Sequence, residues 1–329
     1  MNTFGRMIQV SVFGESHGEA VGAVISGIPA GIALDVEDFR RDLDRRKGGA
    51  KGTTARAEAD IPHIKSGVFN GKTTGSPLLI IFDNTDADSG EYASPSHPRP
   101  GHADFTSHVK YGGFADYRGG GHFSGRLTVG LVAAGVIAKK IISPVTVSSE
   151  LLEVGGSTDF DAAIDKAAAM KDSVGGLVSC RAENVPSGLG EPFFDSVESL
   201  ISHIVFAIPG IKGIEFGAGF RSAAMMGSEN NDLIIDKAGQ TATNNSGGVS
   251  GGVSNGNDLV FRVAVKPTPS IGINQETTDM STGGKVKLTL AGRYDTCIAL
   301  RVPPILEAVT AIVLADLMMM EQKVPRVFR

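Results

Sequence analysis

Tryptophan is absent from the 329 residues, aromatic side chains make up only 6%, and there are two cysteines. Without indoles, the core must rely on aliphatic packing. Two thiols, Cys180 and Cys297, supply neither a disulfide framework nor a four-thiolate zinc site, and they read as reduced, buried residues. No run of 18 uninterrupted apolar residues exists. The nearest, 305–320, carries Glu307 and Asp316 and reads as a buried helix, so no membrane partner is expected. The N-terminus has no basic segment leading into an apolar stretch and a small-residue cleavage site, which points to a cytoplasmic protein. An excess of positive charge is also missing. Lys and Arg number 31 against 36 Asp and Glu, a net charge of −5, which argues against a nucleic-acid binder. Any anion site must therefore be a local cluster of cations.

Glycine is plentiful, with 43 residues, nearly twice the usual ~7%. It gathers in short loops between apolar segments, where the backbone turns tightly or approaches a ligand. Residues 6–13 are β-rich and run into Gly14-Glu15-Ser16-His17-Gly18. A returning strand, 21–25, closes at Gly27-Ile28-Pro29-Ala30-Gly31. Asp35 is placed as an N-cap, and Val36, Phe39 and Leu43 fall at i, i+3 and i+7, which predicts a helix ending in Arg45-Arg46-Lys47. A short strand at 78–82 precedes almost 40 residues with little periodicity, 83–121, holding His97, Arg99, His102, His108 and Arg118. A loop that long reads as an ordered site loop. A buried helix follows from Ser124 or Gly125 to about Ile142. The second half resembles the first. A strand at 176–183 leads to Val185-Pro186-Ser187-Gly188-Leu189, an echo of Ile28-Pro29-Ala30-Gly31-Ile32, and then to a helix near 196–207. Residues 259–265 and 285–290 alternate as strands, and Pro303-Pro304 opens a last helix to about Gln322. No linker divides the chain. The expectation is one domain, 1–329, with similar halves at about 1–142 and 175–325.

Gly14-Glu15-Ser16-His17-Gly18 fits the nucleophile-elbow string of serine hydrolases, but that elbow needs a helix immediately after it, and Gly18-Glu19-Ala20-Val21-Gly22 is a poor helix start. The last histidine, His203, lies on an apolar helix face and reads as a core residue. Gly67-Val68-Phe69-Asn70-Gly71-Lys72-Thr73 has three residues between its glycines where a P-loop needs four, and reads as a hairpin turn. His97, His102 and His108 are unevenly spaced, so no metal site is expected. The stronger signal is glycine beside cations. Arg118-Gly119-Gly120-Gly121-His122-Phe123-Ser124-Gly125-Arg126 meets a helix start, where bare backbone N–H groups suit a phosphate. A second loop, 244–256, repeats Gly-Gly-Val-Ser in tandem. Pro98-Arg99-Pro100-Gly101-His102-Ala103-Asp104 holds a histidine beside an arginine, prolines and a glycine, which favours His102 as an acid/base group.

Taken in order, the 14–18, 99–104, 116–121, 188–192 and 247–256 motifs and Gly292-Arg293-Tyr294-Asp295 resemble the chorismate synthase family over nearly the whole chain. The resemblance implies an α+β fold, a layered β-α-β sandwich with internal pseudo-two-fold similarity of its halves, in a homotetramer. It also implies the last step of the shikimate pathway, an anti-1,4 elimination of phosphate from 5-enolpyruvylshikimate 3-phosphate to give chorismate. Reduced FMN is required and not consumed. Positions matching the family's catalytic groups are His17, His102 and Asp295: His17 beside the flavin, His102 at the departing phosphate, Asp295 assisting at C6. Matching substrate-binding positions are Arg46, Arg99, Arg126 and Arg293. Matching flavin positions are His122, Phe123, Ser124, Pro209, Gly210, Gly251, Lys266, Pro267, Thr268, Pro269, Ser270 and Arg293. With no extra domain in the chain, an external flavin reductase is expected, with NADPH as the reductant.

The chain departs from the family's pattern at His122, where arginine is common, and at Phe123, where serine is. Lys51 stands for an arginine, Tyr294 for a histidine, and 143–173 is short. On the expectation that side chains alternate in an extended segment, Tyr294 faces packing while Arg293 and Asp295 face the flavin. The departures leave one alternative, a flavin- or phosphate-binding homologue without turnover. A hydrolase at Ser16 would instead be labelled by a fluorophosphonate.

Overall fold

The computed structural model describes residues 2–86, 96–290, 292 and 294–328. The first sheet uses β1 (Thr3–Phe4), β2 (Gln9–Gly14), β3 (Ala20–Ser26) and β4 (His63–Ser66). After a hairpin, β5 (Val68–Phe69) with β6 (Lys72–Thr73), it gains β7 (Leu78–Asp83). Its order is β1-β2-β3-β7-β4, antiparallel throughout. The second sheet joins β8 (Thr146–Val154), β9 (Gly176–Glu183), β10 (Ile211–Phe216) and β13 (Leu259–Val265) in the order β10-β13-β9-β8. Small hairpins pair β11 (Val249–Ser250) with β12 (Val253–Ser254) and β14 (Gln275–Thr278) with β15 (Lys285–Leu288).

Burial alternates along the inner strands as a half-buried sheet requires. Val21, Ala23 and Ile25 of β3, Leu78, Ile80 and Phe82 of β7, Val178, Cys180 and Ala182 of β9, and Leu259, Phe261 and Val263 of β13 all face inward. Between the sheets lie α1 (Glu37–Arg46), α3 (Thr128–Ile141), α5 (Val197–Val205) and α7 (Pro303–Met320), while α2 (Asp104–Tyr111), α4 (Phe160–Ala169) and the short α6 (Gly227–Asn230) lie outside this layer. The α3–α7 contact is the middle of the sandwich: Gly135 lies so near Ala308 that any Cβ at 135 would overlap it. α7 is long and apolar enough to cross a membrane, but 83% of it is buried inside the fold, which makes it a core helix. Its two acids serve the fold. Asp316 accepts from the backbone N–H of Arg6, Met7 and Ile8, and Glu307 binds Arg45, Lys139 and the Ser149 N–H.

The layered β-α-β expectation holds, and the echo has a structural counterpart: β3 and β9 each lead through their glycine loop to a helix of the middle layer. The 67–73 motif is the expected hairpin, turned by Asn70 and Gly71 with positive φ. Both cysteines are buried and reduced, and burial pushes the Cys180 thiol up to about 11. Other expectations need correction. The 83–121 stretch is not all irregular, because α2 occupies part of it. This helix buries none of its residues, so it leaves no apolar periodicity to read. β8 lies in the segment assigned to neither half, and the second sheet therefore starts at Thr146. Its alternation is broken by a register shift between Leu151 and Glu153. The strand expected over 285–290 stops at Leu288.

Candidate active site

One cavity of about 720 Å³ opens between the first sheet, the N-terminal end of α3, α5 and the loops around residues 99–103, 266–270 and 292–301. The β2–β3 turn, residues 14–18, forms part of its wall and is tied down from four directions. Ser16 N–H donates to Gly121 O (3.1 Å). Asn84 Nδ2 donates to the carbonyls of Glu15 (3.0 Å) and Gly18 (2.9 Å). His122 Nδ1–H donates to Gly14 O (2.9 Å), since a carbonyl can only accept. Arg56 donates to Ser16 Oγ (2.8 Å) and Ser16 O (2.9 Å). His17 is buried and packs on Gly119, whose φ of 57° and lack of a side chain make room for the imidazole. The turn leads into a strand, and Ser16 Oγ accepts from a guanidinium that cannot take its proton. The nucleophile-elbow reading is thereby excluded.

On the far wall, His102 Nδ1 meets Asp104 Oδ1 at 2.6 Å, which leaves Nε2 as the nitrogen open to a reactant, next to Gly120. Asp104 also receives Arg99 Nε (2.7 Å) and Nη2 (2.8 Å). Burial alone would raise this carboxyl, but the bonds and charges of Arg99 and His102 outweigh it and hold it well below the usual range. Lys266 Nζ donates to Gly101 O (2.6 Å) and Arg99 Nη1 to Ser270 Oγ (3.3 Å), so the two loops are laced together around the histidine.

The floor is a buried charge cluster. Arg46, the last residue of α1, donates to Asp60 Oδ2 (2.5 Å), and Arg126 binds the other oxygen of the same carboxylate. Arg126 Nε reaches Asn84 Oδ1 (2.9 Å). Arg46 Nε is buried and has no partner among the described residues. Burial, set against Asp60 and joined by repulsion from Arg301 and Arg126, pushes the Arg46 guanidinium down to about 10. Arg301 donates to Arg46 O (2.9 Å) and lies 3.3 Å from Asp295, whose Oδ1 also accepts the Thr54 N–H (2.9 Å).

Arg46, Arg99, His102, Arg126, Asp295, His122, Phe123, Ser124, Pro209, Gly210 and residues 266–270 all line this cavity. Neither His17 nor Gly251 does: of the 14–18 turn Ser16 reaches the wall while His17 lies buried behind it, and Gly251 lies exposed in the turn between β11 and β12. Arg293 lies outside the described residues. Tyr294 lines the cavity alongside Asp295, contrary to the alternation argument. Its hydroxyl lies against Gly272, and no strand runs through 294–296 to enforce alternation. Lys51 points away, bonded to Asp161 (3.2 Å) and Asp165 (2.9 Å). His203 is exposed rather than in the core. It sits at the cavity wall with its ring edge-on to Phe4 at 5.3 Å, on the rim of a helix whose other face is buried. Sequence reasoning missed Arg56, Glu58, Asp60 and Arg301. The first three carried a signal: in an extended segment, i, i+2 and i+4 share a side. Arg301 is a lone charge among apolar neighbours immediately before a core helix.

A family profile described as chorismate synthase matches residues 8–319. The chain belongs to the chorismate synthase family. A chorismate synthase from Chitinophaga pinensis is 60% identical over the full length of both chains. One from Dehalococcoides mccartyi is 46% identical, covering 100% of this chain and 99% of its own. A crystal structure of chorismate synthase superposes with a TM-score of 0.75 at 26% identity, over 97% of this chain and 93% of that one. The chain is thus a chorismate synthase-family lyase of the shikimate pathway, serving amino-acid biosynthesis, with a small-molecule substrate.

Proposed function

We propose that the cavity binds 5-enolpyruvylshikimate 3-phosphate and removes its 3-phosphate and a C6 hydrogen by anti-1,4 elimination. The observation that carries this reading is the floor cluster, in which two buried guanidiniums share one carboxylate and one buried N–H has no protein partner among the described residues. A substrate with two carboxylates and a phosphate needs such uncompensated cations, and an acidic protein can supply them only locally. Arg46, Arg99 and Arg126, with Arg293, hold its anionic groups. His102 has Asp104 behind Nδ1, so its Nε2 can carry a proton to the departing phosphate. Asp295, held by Thr54 N–H and Arg301, assists removal of the C6 hydrogen. Closure around the substrate strengthens each of these electrostatic interactions by excluding water.

The residues also fit a flavin mononucleotide. Thr268 Oγ1 is buried without a partner among the described residues, beside Lys266, and Phe4, Val10, Val12 and Leu131 supply an apolar wall. Residues 122–124, Pro209, Gly210 and 266–270 would hold it, with Arg293. When bound and reduced, the flavin supplies electron density that assists cleavage of the C–O bond. His17 sets the protonation of this end of the site. We infer a cytoplasmic homotetramer supplied with reduced flavin by a separate NADPH-dependent reductase; large exposed side chains at Phe193, Phe194 and Phe220 support self-association.

The test is anaerobic turnover. Chorismate and phosphate should form in equal amounts with reduced FMN, and not at all with oxidised FMN alone. His102→Ala should lower kcat by about 10²-fold or more, the scale of a general acid. Full activity in flavin-free buffer would overturn the mechanism, and binding without turnover would favour a non-catalytic homologue.

A further inference from the structure

We propose that Arg56 is a positioning residue for His17, acting through the Ser16–His17 peptide rather than on the substrate. The inference rests on the reading of His17 as a protonation-setting group given above. Arg56 follows the glycine loop after α1, in an irregular segment whose burial alternates, so that Arg56, Glu58 and Asp60 all reach the cavity wall. Its guanidinium is held by Glu58, with Nε–Oε1 at 3.0 Å and Nη2–Oε1 at 2.6 Å. From that anchor, Nη1 donates to Ser16 Oγ and Nη2 to Ser16 O. Four of the five guanidinium N–H groups are therefore consumed within the protein. This is the pattern of a clamp and not of a substrate ligand.

The anchor is itself fixed. Glu58 is almost fully buried, and its second oxygen accepts both the N–H (2.9 Å) and the hydroxyl (3.0 Å) of Thr85, just past the end of β7. Glu58 and Arg56 thus tie β7 to the 14–18 turn. Ser16 is gripped on its carbonyl and hydroxyl by Arg56 and on its N–H by Gly121, which leaves the next residue little freedom. The His17 ring lies against Gly119, where the lack of a side chain makes room for it. A lysine could keep the charge but could not span Glu58, Ser16 O and Ser16 Oγ with one planar fork.

The experiment uses Arg56→Gln and Arg56→Lys in the full-length protein, with melting temperature confirming the fold. Histidine ring resonances are recorded on ¹⁵N-histidine-labelled protein, and His17 is assigned by its loss in His17→Ala. Both variants should shift the His17 resonances and leave those of His63 unmoved. Arg56→Gln should lower kcat by about 10–100-fold, the acid–base scale, with KM within about threefold. In a His17→Ala background it should add less than about threefold, because contacts acting through one residue do not add. Guanidinium added to Arg56→Gln should restore part of kcat. Unmoved His17 resonances would overturn the proposal, as would a full additive loss in the double variant. A large rise in KM with kcat kept would make Arg56 a substrate ligand instead. If His17→Ala itself proved fully active, the acid–base reading would fail while the resonance shifts still reported on positioning.

Discussion

Arg45 and Arg46 are neighbours at the end of one helix, yet they belong to different kinds of charge cluster. Arg45 joins Lys139 on Glu307 and Asp42, two cations on two carboxylates. Arg46 joins Arg126 on Asp60, the one carboxylate that either of them ion-pairs with among the described residues. The first cluster is balanced, partly solvated on its cationic side, and bolts α1 and α3 to α7. The second is unbalanced, buried, and lines the cavity. Charge balance separates a structural bolt from an anion site: a buried cation in excess is tolerated where a ligand completes its pairing.

The sharpest way to break this comparison is Asp60→Asn. It removes the carboxylate that two buried guanidiniums share, and should cost about 3–5 kcal/mol of stability, the scale for breaking a buried pair. Denaturant unfolding checks this, and added phosphate should recover part of the loss. Glu307→Gln should cost less, about 1.5–3 kcal/mol, because Asp42 still neutralises Lys139 and both cations reach solvent. Its kcat should stay within about twofold in the folded protein, which chemical denaturation and assay together measure.

That variant also has a pH signature. Burial would raise Glu307, but Arg45 and Lys139 outweigh it and hold its carboxyl below the ordinary range. A carboxylate depressed in the folded state stabilises above its unfolded value, about 4.3, and loses that contribution as pH falls through the folded value. The stability gap between wild type and Glu307→Gln should therefore be constant above about pH 5 and close below about pH 4. A gap independent of pH would contradict the ion-pair account. The smallest expected effect is Lys51→Ala. Its ion pairs with Asp161 and Asp165 are exposed and outside the cavity, so the melting temperature and kcat/KM should both be essentially unchanged. A large loss of activity would bring Lys51 back into the site.

Much of this was legible in the sequence, and the reason differs by region. Strands β9 and β13 alternate cleanly because one face meets the helical layer, and α7 reads as core because its two acids interrupt an otherwise apolar run. β8 was hidden by a bulge and α2 by its exposure, since neither prints a simple period. In the site, the glycine loops and His102 beside the Pro98-Arg99-Pro100 run stood out, and the family motifs carried Arg46, Arg126 and Asp295. The spacing of Arg56, Glu58 and Asp60 offered a shared side, but the role of Asp60 as the carboxylate on which Arg46 and Arg126 converge was not legible. Its meaning depends on Arg126, 66 positions later, which only the fold brings beside it. His203 was misread because one helix carries both its buried face and its cavity rim.

The most direct test is to compare two adjacent substitutions, Arg45→Gln and Arg46→Gln, which remove the same charge from the same helix. Substrate affinity is measured by calorimetry at a temperature where both proteins are folded. Arg46→Gln should weaken the dissociation constant for 5-enolpyruvylshikimate 3-phosphate by at least about tenfold, the scale of one hydrogen bond to a charged group, while Arg45→Gln leaves it within about twofold and lowers the melting temperature instead. Equal losses of affinity, or a loss confined to Arg45→Gln, would contradict the division between a structural bolt and an anion site.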